Sequence, residues 1–146
     1  MPRVADLLAI KGSTVYTIDQ EKSVYDAIRY MVDKNVGALI VTKEDKACGI
    51  FTERDYLRRI VLEGRTSRET QVREAMTDRL IVIDHTRDLE VCMTVMTTAR
   101  IRHLPVVEDG RLAGIVSIGD IIKHLTKEQK AEIQYLTDYI AGKYPA

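Results

Sequence analysis

The chain has 146 residues, 45% of them apolar, enough for one compact domain or two intimate half-domains and too few for two independent cores. Lysine plus arginine equals aspartate plus glutamate at 22 each, so no net field draws in nucleic acid or an anionic membrane surface.

In chain order, residues 14–18 are β-rich, and Val24, Ala27, Ile28, Met31 and Val32 then recur at helical spacing with Asp26, Arg29, Asp33 and Lys34 outside the stripe. That stripe must face a sheet. Residues 36–42 form a short, β-branched apolar run that reads as a buried strand, and Glu44, Asp45 and Lys46 make a polar turn before Ile50 and Phe51. A helix from Asp55 carries Tyr56, Leu57, Ile60 and Val61 and stops at Gly64, which predicts a left-handed cap. Residues 65–71 are polar and read as a linker. Farther on, Asp109 and Gly110 give a two-residue hairpin signal between the runs 104–107 and 112–116. Thr126, Lys127, Glu128 and Gln129 match a capping box, predicting a further helix with Ile133, Leu136 and Ile140 on one side and Tyr135 and Tyr139 beside them. That helix is expected to dock, on its own sheet or on a second subunit.

The chain states one unit twice. Gly49, Ile50, Phe51, Thr52, Glu53, Arg54, Asp55 returns 65 positions on as Gly114, Ile115, Val116, Ser117, Ile118, Gly119, Asp120, and Ile18, Asp19, Met31, Leu39 and Val41 fall on Ile83, Asp84, Met96, Leu104 and Val106. Two copies of one small unit bury together what neither buries alone. Val4 to Leu7 resembles Val72 to Met76 at a shift of 68, so the first copy approaches its strand with three extra residues, within 10–14. Cys48 and Cys92 stand in apolar surroundings without paired or metal-type spacing, as expected of reduced core thiols. With no signal-peptide pattern and no apolar run long enough to span a bilayer, the expectation is a soluble, cytoplasmic protein.

Together these segments resemble the cystathionine-beta-synthase (CBS) domain family, as a stand-alone tandem pair or Bateman module, over nearly the whole chain from about Val4 to about Leu125. The carriers are Ser23 to Ala27 with its partner Asp88 to Cys92, the strand Arg102 to Val107, and the two Gly to Asp segments. The resemblance implies an α/β (α+β) fold of two βαββα units related by a pseudo-twofold axis, with clefts between their sheets. It divides the chain into a first CBS domain (1–66), a second (67–126) and a C-terminal helix (127–146). It also implies adenosine-containing ligands, AMP, ADP, ATP or NAD with S-adenosylmethionine less favoured, and a disc-like homodimer acting on a separate effector protein.

Thr52 with Asp55, and Ser117 with Asp120, have the spacing of a capping box. A carboxylate there is also suited to a ribose diol, and a hydroxyl to ribose or phosphate; the resemblance assigns those roles to these positions. It gives the Asp120 cleft a base-contacting wall of Lys11, Gly12, Ser13 and Tyr16 with Val36, Gly37 and Ala38, and a phosphate end at Arg102 and His103. The companion cleft of Thr52 and Asp55 takes Asp78, Leu80 and Ile101 as its wall, with Arg54 and Arg58 supplying the charge its phosphate end lacks. The Asp120 cleft ranks first.

Catalysis is not expected. The chain lacks a P-loop, a G-x-S-x-G, an H-E-x-x-H or any cluster suited to a metal, and His85, His103 and His124 stand apart, His124 reading as a helix-side partner of Asp120. The rival is an architectural module that dimerises and binds a protein with empty clefts, its carboxylates serving only as caps.

Overall fold

The computed structural model describes residues 2–142, with backbone alone at 128–132. In chain order the elements are α1 (Val4–Lys11), β1 (Thr17–Asp19), α2 (Val24–Lys34), β2 (Ala38–Lys43), β3 (Lys46–Thr52), α3 (Glu53–Tyr56) running into a π-helical turn (Leu57–Val61), α4 (Val72–Ala75), β4 (Ile83–Asp84), α5 (Leu89–Ala99), β5 (His103–Glu108), β6 (Arg111–Ser117) and α6 (Ile118–Ile140). The fold is mixed α/β, with two three-stranded sheets of the same order, β1-β2-β3 and β4-β5-β6. In each, the first pair is parallel and the second antiparallel. Parallel neighbours need a crossover, supplied by α2 in one sheet and α5 in the other.

The 65-residue repeat reaches the finest detail of the backbone. Both hairpins shift register at the same place, between Val41 and Thr42 and between Val106 and Val107. The tight turns that follow put Glu44 and Asp45, then Asp109 and Gly110, at positive φ, the conformation a two-residue hairpin demands. Asn35 and Arg100 end α2 and α5 in the left-handed region. Ser23 caps α2 by accepting the Asp26 amide.

Two compact units result, and they are not the halves of the chain in order. Thr14–Val82 forms one, and the segment up to Ser13 groups with the chain from Ile83 onward. The reason is the placement of the helix that precedes each copy. In the first-sheet unit, Val72 and Arg73 donate their amides to the Lys22 and Gln20 carbonyls at 2.8 and 2.9 Å. In the second-sheet unit, Val4 and Ala5 donate to Arg87 and His85 at the same two distances. α1 therefore serves the second sheet, and α4 the first.

The core of the first-sheet unit gathers Val24, Ala27 and Met31 of α2 with Leu39, Val41, Phe51, Ile60, Val72 and Ala75. That of the second gathers Val4 and Leu7 of α1 with Leu89, Cys92, Met96, Leu104, Val106, Val116 and Ile121. Each large aliphatic or aromatic side chain so buried contributes about 1.5–3 kcal/mol.

Four expectations need correction. Val32, placed in the buried stripe of α2, is 72% exposed, because the stripe closes on Val24, Ala27 and Met31 with Ile28 packed beside them. The helix after Thr52 changes to π-type winding at Leu57, which leaves Leu57 and Val61 exposed while Ile60 is buried; it does end at a left-handed Gly64 with φ of 67°. The polar stretch 65–71 is no free linker: the Thr70 and Ser67 carbonyls accept the first amides of α2, and Thr70 is buried. No helix starts at Thr126, since α6 runs unbroken from Ile118 to Ile140 and the Thr126 hydroxyl donates to the Ile122 carbonyl one turn back. The Glu128 and Gln129 side chains of that expected box lie outside the described residues. Among the described residues, no helix is long and apolar enough to cross a membrane.

Candidate functional site

Each sheet delivers its last strand directly into a helix. β3 ends at Thr52, the N-cap of α3, and β6 ends at Ser117, the N-cap of α6. Both capping boxes form. Thr52 Oγ1 accepts the Asp55 amide at 3.3 Å while Asp55 Oδ2 accepts the Thr52 amide at 3.0 Å. Ser117 Oγ accepts the Asp120 amide at 3.1 Å while Asp120 Oδ2 accepts the Ser117 amide at 2.9 Å. Each carboxylate is thus fixed at the positive end of a helix, where negative charge is favoured.

The carboxylates differ in what remains of them. Asp55 is buried, and both of its oxygens are engaged: Oδ2 also accepts the Thr52 hydroxyl at 3.1 Å, and Oδ1 accepts the Thr77 hydroxyl at 3.0 Å. Asp120 receives the Lys11 ammonium at 2.6 Å, again on Oδ2. Lys11 and the Ser117 amide both reach Oδ2, the Ser117 side chain also bonds the carboxyl, and among the described residues no partner from elsewhere in the chain hydrogen-bonds Oδ1, on a side chain 27% exposed. Burial pushes the Asp120 carboxyl up, but the hydrogen bonds from Lys11 and Ser117 and the Lys11 charge outweigh it, and the group sits below its ordinary value.

The remaining expected site residues divide between the two units. With Ser117 and Asp120 lie Lys11, Gly12, Ser13, Ile101, Arg102 and His103. His103 pairs with Ser117 across the β5–β6 ladder, and the Arg102 carbonyl accepts the Ile118 amide at 2.9 Å, so both stand beside the start of α6. Gly12, with φ of 99°, ends α1 just past Lys11, and Ser13 is exposed. Ile101 packs against the core. With Thr52 and Asp55 lie Tyr16, Val36, Gly37, Ala38, Arg54, Arg58, Asp78 and Leu80. Ala38 pairs with Thr52, and the Gly37 carbonyl accepts the Glu53 amide at 3.2 Å, repeating the geometry of Arg102 and His103. Arg54, Arg58 and Asp78 are exposed, and Leu80 is half-buried. Tyr16 is half-buried and packs edge-on against Tyr30, with Lys34 over its ring.

Sequence reasoning missed two features. Lys11 was assigned to a base-contacting wall, whereas it grips Asp120 itself, a role expected instead of His124. Thr77, one residue short of the wall assigned at Asp78, holds Asp55. Its signal was a hydroxyl just after the segment that repeats at a shift of 68.

The thiols match the expected inert chemistry. Burial pushes Cys92 up to about 11, and burial also raises Cys48 above its ordinary value, so neither is a ready thiolate at neutral pH. Among the described residues, no group of three or more His, Cys, Asp or Glu side chains is arranged to hold a metal ion.

The family model described as "CBS domain" matches twice, over residues 5–62 and 72–127. The chain is 39% identical to the mitochondrial CBS domain-containing protein CBSX3 of Arabidopsis thaliana, over 97% of this chain and 73% of that protein. A solved protein with CBS domains from Burkholderia ambifaria shares 42% identity and superposes with a TM-score of 0.85, covering 88% of this chain and 96% of that one. The CBS domain pair of MJ0100, solved in complex with 5′-methylthioadenosine and S-adenosyl-L-methionine, shares the fold with a TM-score of 0.76 at 23% identity, over 88% of this chain and 98% of that one. With two matched copies, two equivalent sheets and two equivalent capped carboxylates, the chain belongs to the CBS-domain family as a tandem pair.

Proposed function

We propose that the protein is a non-catalytic regulatory module that binds an adenosine-containing nucleotide, AMP, ADP, ATP or NAD, at the helix-start carboxylates, Asp120 first. The observation that carries this reading is the state of Asp120. It is held rigid by its cap and by Lys11, kept ionised, half-buried, and open at Oδ1 to a hydroxyl donor. A ribose diol needs such an acceptor. Ser117 supplies a hydroxyl beside it, while Arg102 and His103 at the same helix start suit a phosphate. MJ0100, of like fold, was solved with adenosyl ligands, which supports that ligand class here at the level of the fold.

The regulatory step follows from linkage. A ligand biases a conformational equilibrium only by binding one arrangement more tightly than another, and that difference is what a partner protein reads. Assembly as a homodimer and action on a separate effector belong to the same proposal, as does a reducing, cytoplasmic setting, which two unpaired thiols favour.

A specific observation favours the architectural reading at the other carboxylate. Asp55 has both oxygens satisfied from within its own unit and behaves as a complete structural cap. The proposal therefore expects one site to dominate.

Thermal melting with AMP, ADP, ATP, NAD, NADH and S-adenosylmethionine is the test. Ligand at 100 times its dissociation constant adds about 2.7 kcal/mol, raising the midpoint by roughly 5–10 °C in a chain of this length. Asp120→Ala is expected to abolish most of the shift, and Asp55→Ala little of it. Absence of any shift would leave the module architectural.

A further inference from the structure

The two carboxylates are gripped from equivalent places by groups of different charge. In the first-sheet unit, Thr77 donates its amide to the Ile50 carbonyl at 2.9 Å and its hydroxyl to Asp55 Oδ1 at 3.0 Å. In the second-sheet unit, one ammonium does both tasks: Lys11 Nζ donates to the Ile115 carbonyl and to Asp120 Oδ2, each at 2.6 Å. Ile115 and Asp120 are Ile50 and Asp55 moved on by 65 positions, so two neutral donors in one unit have become a cation in the other. The exchange is made possible by helix length. α4 ends at Ala75 and its chain continues extended, bringing backbone to β3 through the Ile50–Thr77 bridge, whereas α1 winds on to Lys11 and reaches β6 with a side chain.

An ammonium has three N–H donors. Ile115 and Asp120 take two, and among the described residues none takes the third, on a side chain 31% exposed. Beside it lies the open Oδ1 of Asp120. One anchored pair therefore presents an acceptor and a charged donor side by side, the complement of a ligand bearing both hydroxyls and a phosphate. The Lys11 charge also cancels that of Asp120, removing the repulsion that a lone carboxylate exerts on an incoming anion.

We propose that Lys11 is the ligand-specificity residue of the Asp120 site, selecting adenosine ligands that carry a phosphate over those that do not. The inference rests on Asp120 as the ribose-binding carboxylate, and its test separates the two. Calorimetry compares AMP with adenosine on the full chain as wild type, Lys11→Met, Lys11→Arg and Asp120→Ala; binding lost in Asp120→Ala is assigned to this site. Wild type is expected to hold AMP about 10-fold more tightly than adenosine. Lys11→Met should bring the AMP-to-adenosine affinity ratio close to one, whatever its effect on adenosine itself through the loss of the Asp120 anchor, and Lys11→Arg should keep the preference. The wild-type ratio should also shrink as salt rises from about 0.05 M to about 0.5 M, a readout that needs no variant to fold. A preference for AMP that survives in Lys11→Met, or a wild-type ratio near one, overturns the selector and leaves Asp120 as the ribose carboxylate. Binding of neither ligand, or binding indifferent to Asp120→Ala, overturns both.

Discussion

The Asp120 carboxyl makes stability depend on pH. Burial raises its carboxyl, yet the Lys11 ammonium and the Ser117 amide outweigh burial and hold it below the ordinary value. A carboxyl with a depressed folded-state value binds a proton less readily folded than unfolded. Its contribution is therefore fully present above the unfolded value, about 3.9, and drains away as pH falls through the lower folded one. Asp120→Asn removes the charge at every pH. At pH 7 it should lower stability by about 1–2 kcal/mol, the worth of hydrogen bonds to a charged group on a partly exposed side chain. On acidification below the carboxylate range the gap should close, because wild type is then neutral at this position too. Urea midpoints of both proteins followed from pH 7 down to about pH 1.5 measure it, and a gap that stays constant throughout would show that the charge on the Lys11 pair contributes nothing.

At the scale of elements, the decisive packing is that of a short helix segment on the last strand of each sheet. A Cβ at Gly49 would stand 2.7 Å from the Thr77 carbonyl oxygen and 2.8 Å from Met76 Sδ. At Gly114 it would stand 2.9 Å from Leu8 Cδ2, with no backbone atom among its nearest neighbours. Carbonyl oxygens cannot swing aside as a leucine methyl can, so Gly49→Ala should cost about 1–3 kcal/mol and Gly114→Ala less. Denaturant unfolding of the two variants ranks them, and equal losses would mean that the Ile50–Thr77 bridge yields freely.

Those same elements mark what the sequence disclosed. The 65-residue repeat, the left-handed Gly64, the Asp109-Gly110 turn and both capping boxes are written in neighbouring residues, and the structure keeps every one. The pairing of α1 with the second sheet depends on partners about 80 to 110 positions away, such as Lys11 with Asp120, and no local pattern encodes it. The 68-residue shift was its only trace. Thr126 misled for a different reason: a capping-box sequence is compatible with a helix interior, where the threonine hydroxyl bonds back to the preceding turn.

At the scale of the whole molecule, α6 raises a question of burial. Its 23 residues span about 35 Å, beginning with Ile121 fully inside the core. Farther along, Ile133, Leu136 and Ile140 recur at positions three and four apart on one side, with Tyr135 and Tyr139 beside them, and all five are exposed. An apolar stripe of this kind, rimmed by aromatic side chains, is characteristic of a protein interface. Within the proposed homodimer a second α6 is the natural cover, because a twofold pair of identical stripes is self-complementary. Ile133→Glu with Leu136→Glu would place two carboxylates per chain in that seam, charges that are costly to desolvate and repel across it. Sedimentation equilibrium should give the mass of two chains for wild type and of one for the double variant. The melting midpoint, extrapolated to low concentration where both are single chains, should be the same, since these side chains are already exposed in the lone chain. A double variant that still dimerises would move the interface away from α6, and one that melts early even when dilute would mean that the stripe packs within its own chain.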